Sequence, residues 1–363
     1  MDPTSHAEAA LPRDDSLQPP MKEVLTFILP TRNRKQYVRR AVDSCLQCQS
    51  DNVSPFVIVI DGESDDGTFT DLQNAYRDDT RVLLLQNSKS AGFMNTCYEG
   101  VDLVKSKWVT FMYDDDVLSP YFIKMVSELI RSDDRFVMGY GAAFPAGEIY
   151  PFKPIDTFKR YRPEQLLLAY YGRNSELDFK GLPHSPICCV TTLDLLHEWV
   201  PYVKDFCSRN SIRSYFMLKR NIGPDLMIYL LSLLKHEGNI SLCVSVVAQF
   251  SAHPTSMSVT YGNSDLAVGY WLAKIWGFEY LCKADRRHEA AVCGSALVFV
   301  GSKTLAARLI RFQTKWAGMI LREIAGILFT SIRDQIVLRT LRESYVNIFE
   351  WIRTRSREVL PKP

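Results

Sequence analysis

Residues Trp108–Pro120 read WVTFMYDDDVLSP. The apolar run Trp108–Met112 is too short for a helix and has the length of a buried strand. It runs directly into three consecutive carboxylates, Asp114, Asp115 and Asp116. Ser119-Pro120 then offers a helix cap and a first-turn proline, ahead of Phe122, Ile123, Val126, Leu129 and Ile130 at helical spacing. The segment therefore reads as strand, acidic turn, helix. Adjacent carboxylates repel one another and are costly unless well solvated or neutralised by a hard cation. Mg2+ and Mn2+ take one or two carboxylates and complete their shell with phosphate oxygens and water. A solvated loop with Asp116 capping the next helix is the competing reading, and the strand–acid–cap context favours the metal.

The same rhythm extends upstream. Val24–Leu29 is a continuous apolar run ending at Pro30, as a buried parallel strand would. Val38, Ala41, Val42, Cys45 and Leu46 mark a helix face. Phe56–Ile60 reads as a strand, Phe69–Tyr76 as a helix with Asp66 or Thr68 to cap it, and Val82–Leu85 as a third strand. Cys97, Val101 and Val104 mark the helix before Trp108. Alternating strands and helices with short links predict an α/β fold with an open, mostly parallel sheet and flanking helices. Ligands in such sheets sit beyond the carboxyl ends of the strands. Downstream, the pattern loosens over residues 145–186. Pro224–Lys235 reads as an apolar helix and Ile240–Phe250 as a β-rich run. After His253 the character changes, and Leu266–Lys283, Thr304–Phe329 and Ile332–Arg355 read as long amphipathic helices.

Two more strand ends should reach the same rim as the three aspartates. One is Pro30-Thr31-Arg32-Asn33-Arg34, and the other is Asp61-Gly62-Glu63-Ser64. Asp61 could accept a hydrogen bond from a nucleobase N–H, or it could serve the turn that Asp-Gly pairs favour. Arg32 and Arg34 are candidate phosphate ligands, or plain surface charge.

Three segments together resemble the family 2 glycosyltransferases of GT-A fold. FILPTRNR (Phe27–Arg34) is similar to the family's first-strand motif and VIVIDGESDDGT (Val57–Thr68) to its second. WVTFMYDDDVLSP is similar to its metal-binding segment, and the spacing of about 30 and 53 residues between the three also fits. The resemblance covers Lys22–Ala143. It implies a GT-A, Rossmann-like sheet and a metal-dependent transferase using a nucleotide-sugar donor and Mn2+ or Mg2+. By position, Pro30, Thr31, Arg32 and Asp61 would contact the nucleoside. Lys89 and Gly92, in NSKSAGFMN (Asn87–Asn95), would approach the nucleotide-sugar. Asp114 would face the ribose or sugar and, with Asp115 and Asp116, lie at the metal. Gly62 stands where the family's commoner form has a second Asp, which weakens the case for uracil specificity.

Fainter matches complete the site. RNIGPDLMIYLL (Arg220–Leu231) places Asp225 at a helix N-terminus and resembles the segment that carries the family's general base. An acceptor hydroxyl is a poor nucleophile at neutral pH, so a positioned base is needed. The helix dipole alone would also favour an Asp there. His253, in FSAHPTSMS (Phe250–Ser258), falls where GT-A enzymes often supply a further metal ligand, and a neutral imidazole can coordinate Mn2+. His184, in GLPHSP, could touch the acceptor. The implied reaction is inversion at the anomeric carbon, with Asp225 taking the acceptor proton and a glycan or lipid-linked glycan as acceptor. A retaining GT-A transferase, a sugar-phosphate nucleotidyltransferase and a non-catalytic sugar-binding module are the rivals. The nucleotidyltransferase lacks support from a Gly-rich phosphate loop after the first strand.

Composition sets the outer limits. The 363 residues, 47% hydrophobic, supply more core than one compact unit needs, so two domains are expected. We divide the chain into a disordered lead over 1–20, a GT-A domain over 21–262 and a C-terminal amphipathic helical region over 263–363. Within the GT-A domain, 21–143 form the nucleotide-sugar half and 144–262 the acceptor half. Net charge is only +2, which gives no signal for nucleic acid. Residues 301–363, however, hold 12 Lys/Arg against 5 Asp/Glu. That surplus points to an anionic membrane surface or a second subunit as partner of the helices. Nine scattered Cys read as buried, reduced thiols of a cytoplasmic protein, attached peripherally to the inner membrane face at most. No signal peptide or spanning helix is expected, and Ile240–Ala252 is the longest apolar stretch considered.

Overall fold

The computed structural model describes residues 22–87, 92–172, 181–254, 256–310 and 314–334. Its first half alternates as the sequence predicts: β1 (Glu23–Thr31), α1 (Val38–Leu46), β2 (Val53–Asp61), α2 (Thr68–Tyr76), β3 (Val82–Gln86), α3 (Phe93–Leu103) and β4 (Trp108–Phe111). A two-residue strand, β5 (Val117–Leu118), intervenes before α4 (Ile123–Ser132). The chain continues through β6 (Phe136–Pro145), β7 (Phe158–Tyr161), α5 (Pro163–Tyr170), β8 (Cys189–Thr192), α6 (Leu193–Ser208), α7 (Ser211–Ser214), α8 (Pro224–Lys235) and β9 (Ile240–Ala252). Helices α9 (Met257–Lys283), α10 (Arg287–Ile310) and α11 (Thr314–Arg333) close the described part.

All nine strands join one sheet in the order β3-β2-β1-β4-β8-β6-β9-β5, with β7 on β9. The β3-β2-β1-β4 half is wholly parallel. Antiparallel pairs enter with β8, β5 and β7, while β6 and β9 run parallel. Side chains on successive strand residues point to opposite faces, and β1 and β2 show it directly. Leu25, Phe27, Leu29, Val57 and Val59 join the cluster under α1 and α4. Ile28, Ile58 and Ile60 join the cluster on the other face. Strands apolar on both sides are what a doubly covered sheet requires.

The second cluster runs from the sheet through α6 and α8 to Trp271 and Phe278 of α9, Leu297 of α10 and Ile324 of α11. Two expectations change here. The helix expected over Thr304–Phe329 is two helices, α10 and α11, which pack on each other as one straight helix cannot. The loosened segment 145–186 contains β7 and α5, whose mixed polar and apolar residues hid their periodicity. On α11, Ala317, Ile320, Ile324 and Ile327 face inward, whereas Leu321, Phe329 and Ile332 are exposed. Residues Arg287–Ala306 form a helix long and apolar enough to cross a membrane, longer than the Ile240–Ala252 stretch considered from the sequence. Its buried residues Ala290, Ala291, Cys293, Ala296 and Leu297 face the protein core. Of the helix expected over Ile332–Arg355 only residues 332–334 are described, at the end of α11, and the rest of it and the 1–20 lead lie outside the described residues. All nine cysteines are free, and only Cys282 is not buried.

Candidate functional site

Parallel registry puts three strand ends side by side. Thr31 at the end of β1 pairs with Asp61 at the end of β2. Ile28 pairs with Phe111, so β4 delivers Tyr113–Asp116 to the same rim. Beyond that rim lies a cavity of about 420 Å3. Pro30, Thr31, Arg32, Arg34 and Gly92 line it, together with Asp114, Asp115 and Asp116. His184, Asn221, Asp225 and Tyr270 line it as well. Residues far apart in sequence thus meet in one space.

The three aspartates do different things. Asp114 accepts a hydrogen bond from the Thr31 hydroxyl at 2.8 Å and lies 3.6 Å from the Arg34 Nε. Burial, then the neighbouring Asp115, still push its carboxyl up to about 7. Asp116 is 6% exposed and accepts the Ser251 amide N–H at 2.9 Å, which ties the acidic turn to β9. Burial and Asp115 raise its pKa well above the ordinary carboxylate range. Asp115 meets His253, with Oδ2 2.8 Å from Nε2. The imidazole stacks on Tyr37, ring centroids 4.7 Å apart. Beneath them Arg40 donates to the Ser251 hydroxyl at 3.0 Å and to the Asp115 carbonyl at 3.3 Å.

Of the three aspartates expected at the metal with His253, the carboxylate that reaches His253 is Asp115, while Asp114 and Asp116 are engaged by Thr31 and Ser251. Among the described residues, no three His, Cys, Asp or Glu side chains form a ready-made ligand set. The donor chemistry nonetheless fits a small hard cation. A carboxylate and an imidazole side by side are donors that such an ion accepts. Burial and Asp115 favour the protonated forms of Asp114 and Asp116, and a cation beside them would favour their charge.

That charge predicts a pH dependence. Asp114 and Asp116 have folded pKa values raised above their unfolded ones, so the native state holds more protons. Their contribution to stability is present below about pH 4 and is lost as pH rises, through about 7 for Asp114. In chelator, the thermal midpoint should fall between about pH 5 and pH 8 through this term. Mn2+ or Mg2+ should restore it at pH 8 more than at pH 5. Scanning calorimetry at both pH values checks this, and a cation effect equal at the two would contradict it.

Asp61 stands behind the cavity wall. Its carboxylate is fully buried and accepts the Ser64 amide at 3.0 Å, the Ser64 hydroxyl and the Gln86 side-chain amide at 3.3 Å. It orders the turn there, and its neighbour Gly62 lines the space. Gly92 does border the cavity, at φ +110, a conformation that favours glycine, where it opens α3. Lys89 lies outside the described residues.

Asp225 sits at the first turn of α8, as expected. Its Oδ1 accepts the Gly223 amide at 3.0 Å and the Leu226 amide at 2.9 Å. Its Oδ2 accepts the Tyr270 hydroxyl at 3.1 Å. Burial raises its pKa, opposed by the nearby His184 and these hydrogen bonds. Tyr270 was not foreseen. It belongs to α9, beyond the expected end of the catalytic domain, and no motif surrounds it. The signal available was the glycine before it. A Cβ on Gly269 would meet the Ile222 side chain at 2.3 Å, so the glycine lets α9 approach the Asp225 loop.

The sequence model of glycosyl transferase family 2 matches residues 26–194. That span is 169 of the chain's 363 residues, a little under half. A glycosyltransferase of Haemophilus influenzae is 27% identical over 117 residues, 32% of this chain and 36% of that protein. One from Rickettsia bellii is 22% identical over 193 residues, 50% of this chain and 26% of the relative. The chain thus matches only about a third or less of these relatives' length. Among solved structures, residues 1–349 of S. aureus TarS in complex with UDP-GlcNAc superpose with a TM-score of 0.59 at 16% identity. That match covers 91% of this chain and 92% of the other. The likeness in fold therefore extends past the matched residues 26–194 into the C-terminal helices.

Proposed function

We propose that the protein is an inverting glycosyltransferase that moves a sugar from a UDP-sugar to a hydroxyl of a glycan or lipid-linked glycan. One observation carries this reading: the acidic strand end, the Arg32–Arg34 arm and the buried Asp225 carboxylate share a single cavity. Arg32 and Arg34, which line the cavity, would bind the diphosphate, and Thr31 hydrogen-bonds to Asp114. Mn2+ or Mg2+ held by Asp115 and His253 would supply electrostatic stabilisation of the leaving diphosphate.

Lone-pair accounting supports the role of Asp225. A carboxylate offers about four acceptor sites. The Gly223 and Leu226 amides fill two on Oδ1 and Tyr270 fills one on Oδ2. One site on Oδ2 remains for the proton of the attacking hydroxyl. Asn221, also on the cavity wall, has a buried Oδ1 without a donor among the described residues, and an acceptor hydroxyl could satisfy it. Asp114, Asp115 and Asp116 are engaged by Thr31, His253 and Ser251, which favours direct displacement over a carboxylate nucleophile. UDP-GlcNAc bound to TarS makes it the first donor to try.

Thermal unfolding with nucleotide-sugars, with and without Mn2+, tests the reading. A donor at about 100 times its Kd should add about 2.7 kcal/mol. The cation-dependent part should vanish in Asp115→Ala. Stabilisation by a nucleoside triphosphate, with pyrophosphate release on adding a sugar phosphate, would point to a nucleotidyltransferase instead.

A further inference from the structure

We infer that Tyr270, supplied by helix α9 from outside the matched residues 26–194, is the positioning residue of the catalytic base. This inference rests on Asp225 being that base. The Tyr270 hydroxyl donates to Asp225 Oδ2 at 3.1 Å, on the oxygen that keeps a free lone pair. It thereby fixes the carboxylate's rotation and leaves one direction open for the incoming proton. Two contacts hold the tyrosine itself. The His184 ring packs edge-on against it, centroids 4.5 Å apart. The backbone before it is pinned, because Gly269 and Gly223 lie in close apposition. A Cβ on Gly223 would stand 2.7 Å from the Gly269 carbonyl oxygen. The start of α8 and this turn of α9 are therefore in direct backbone contact, which sets Tyr270 beside Asp225.

The hydroxyl also has an electrostatic function. Burial drives Asp225 towards its neutral, protonated form, which cannot accept a proton. A hydrogen bond donated to the charged form opposes that drift. The titratable groups around Asp225 are His184 on one loop, Tyr113 on another and Tyr270 on α9. His184 favours the charged form, while Tyr113 is a buried phenol whose own ionisation Asp225 suppresses. Tyr270 is the member of this group that hydrogen-bonds to the carboxylate oxygen. With His184 and the Leu226 and Gly223 amides, the hydroxyl opposes the effect of burial on the base, and it comes from a residue that the motif-bearing half of the chain does not contain.

The test reads Asp225 directly, without requiring the true acceptor. The full chain is labelled with [γ-13C]aspartate, and the Asp225 carboxyl resonance is assigned as the one missing from Asp225→Asn. Its titration is then followed in the parent and in Tyr270→Phe, which removes only the hydroxyl. The midpoint should rise by about one pH unit or more, the range expected for a charge-assisted hydrogen bond. The acid limb of any measured transfer or UDP-GlcNAc hydrolysis profile should move up with it, and activity well above that limb should recover towards the parent rate. An unchanged midpoint, or a rate reduced equally at all pH values, would overturn the positioning role. Should the Tyr270→Phe spectrum show a disturbed fold, the parent labelled with 13C at the tyrosine Cζ gives a second reading. A tyrosine Cζ resonance should shift with the Asp225 midpoint, as a hydroxyl donating to that carboxylate must, and no tyrosine resonance that follows it counts against the inference. Failure of the underlying reading looks different: Asp225→Asn would then transfer sugar as fast as the parent, whatever the tyrosine does.

Discussion

Asp225→Asn should lower kcat for sugar transfer by about 10²–10⁴-fold, the usual contribution of a positioned general base, while leaving nucleotide-sugar affinity unchanged. The substitution is nearly isosteric. The amide oxygen can still accept the Gly223 and Leu226 amides, so the α8 start should survive. What is lost is the free lone pair on a charged oxygen. Stability should behave oppositely to activity. The Asp225 pKa is raised in the folded state by burial. Ionising it therefore costs folding free energy above the unfolded value of about 3.9. An asparagine avoids that cost, so the variant should unfold at the same or a higher temperature than the parent at pH 8. A catalytic carboxylate held in an unfavourable environment commonly shows this trade. Kinetics with calorimetry on one preparation checks both halves. An inactive variant that is also markedly less stable would mean that Asp225 serves the fold and not the chemistry.

How much of this was legible in the sequence depends on what encodes each feature. The β1, β2 and β4 ends were readable because uninterrupted apolar runs stop abruptly at polar residues, and parallel registry then aligns the stops. Strand β5 was not, because two residues carry no period, and it exists only through its pairing with β9. The roles within the acidic triplet were not readable either. Three identical residues in a row give no hint that Asp114 will take Thr31, Asp115 His253 and Asp116 the Ser251 amide. Those partners are 83, 138 and 135 residues away. At Asp61 turn chemistry and base recognition want the same residue in the same place, so the sequence alone leaves both readings open. In the structure its buried carboxylate accepts the turn's hydrogen bonds. Tyr270 was hidden for a different reason. An aromatic in an apolar helix looks like core, and only docking of α9 on Gly223 turns its hydroxyl towards a carboxylate.

A second polar cluster, centred on a buried ion pair, also holds α9, and disrupting it should have the largest effect on stability. Arg213 of α7 is 6% exposed and Glu323 of α11 is 4% exposed. The guanidinium donates to Glu323 at 2.7 and 3.2 Å and to Glu279 of α9 at 2.9 Å. Asn210 adds a hydrogen bond to Glu323 at 2.6 Å, and the Phe206 ring lies 3.9 Å from the guanidinium carbon. One cation thus joins α7, α9 and α11. Arg213→Met should cost about 3–5 kcal/mol, because the buried Glu323 carboxylate loses its charge partner. The double variant Arg213→Met, Glu323→Leu removes both charges and should recover much of that loss, since apolar replacement of a buried pair is often neutral or better. Urea denaturation of the parent, both single variants and the double gives the coupling directly. A double variant as unstable as the sum of the two singles would refute a coupled ion pair. Glu279 lies nine residues, about 13 Å, along α9 from Tyr270. Loss of the cluster should therefore loosen the far end of the helix that carries the tyrosine. The single variant should then lower transfer activity even at temperatures where it remains folded, and the double variant should regain both properties together.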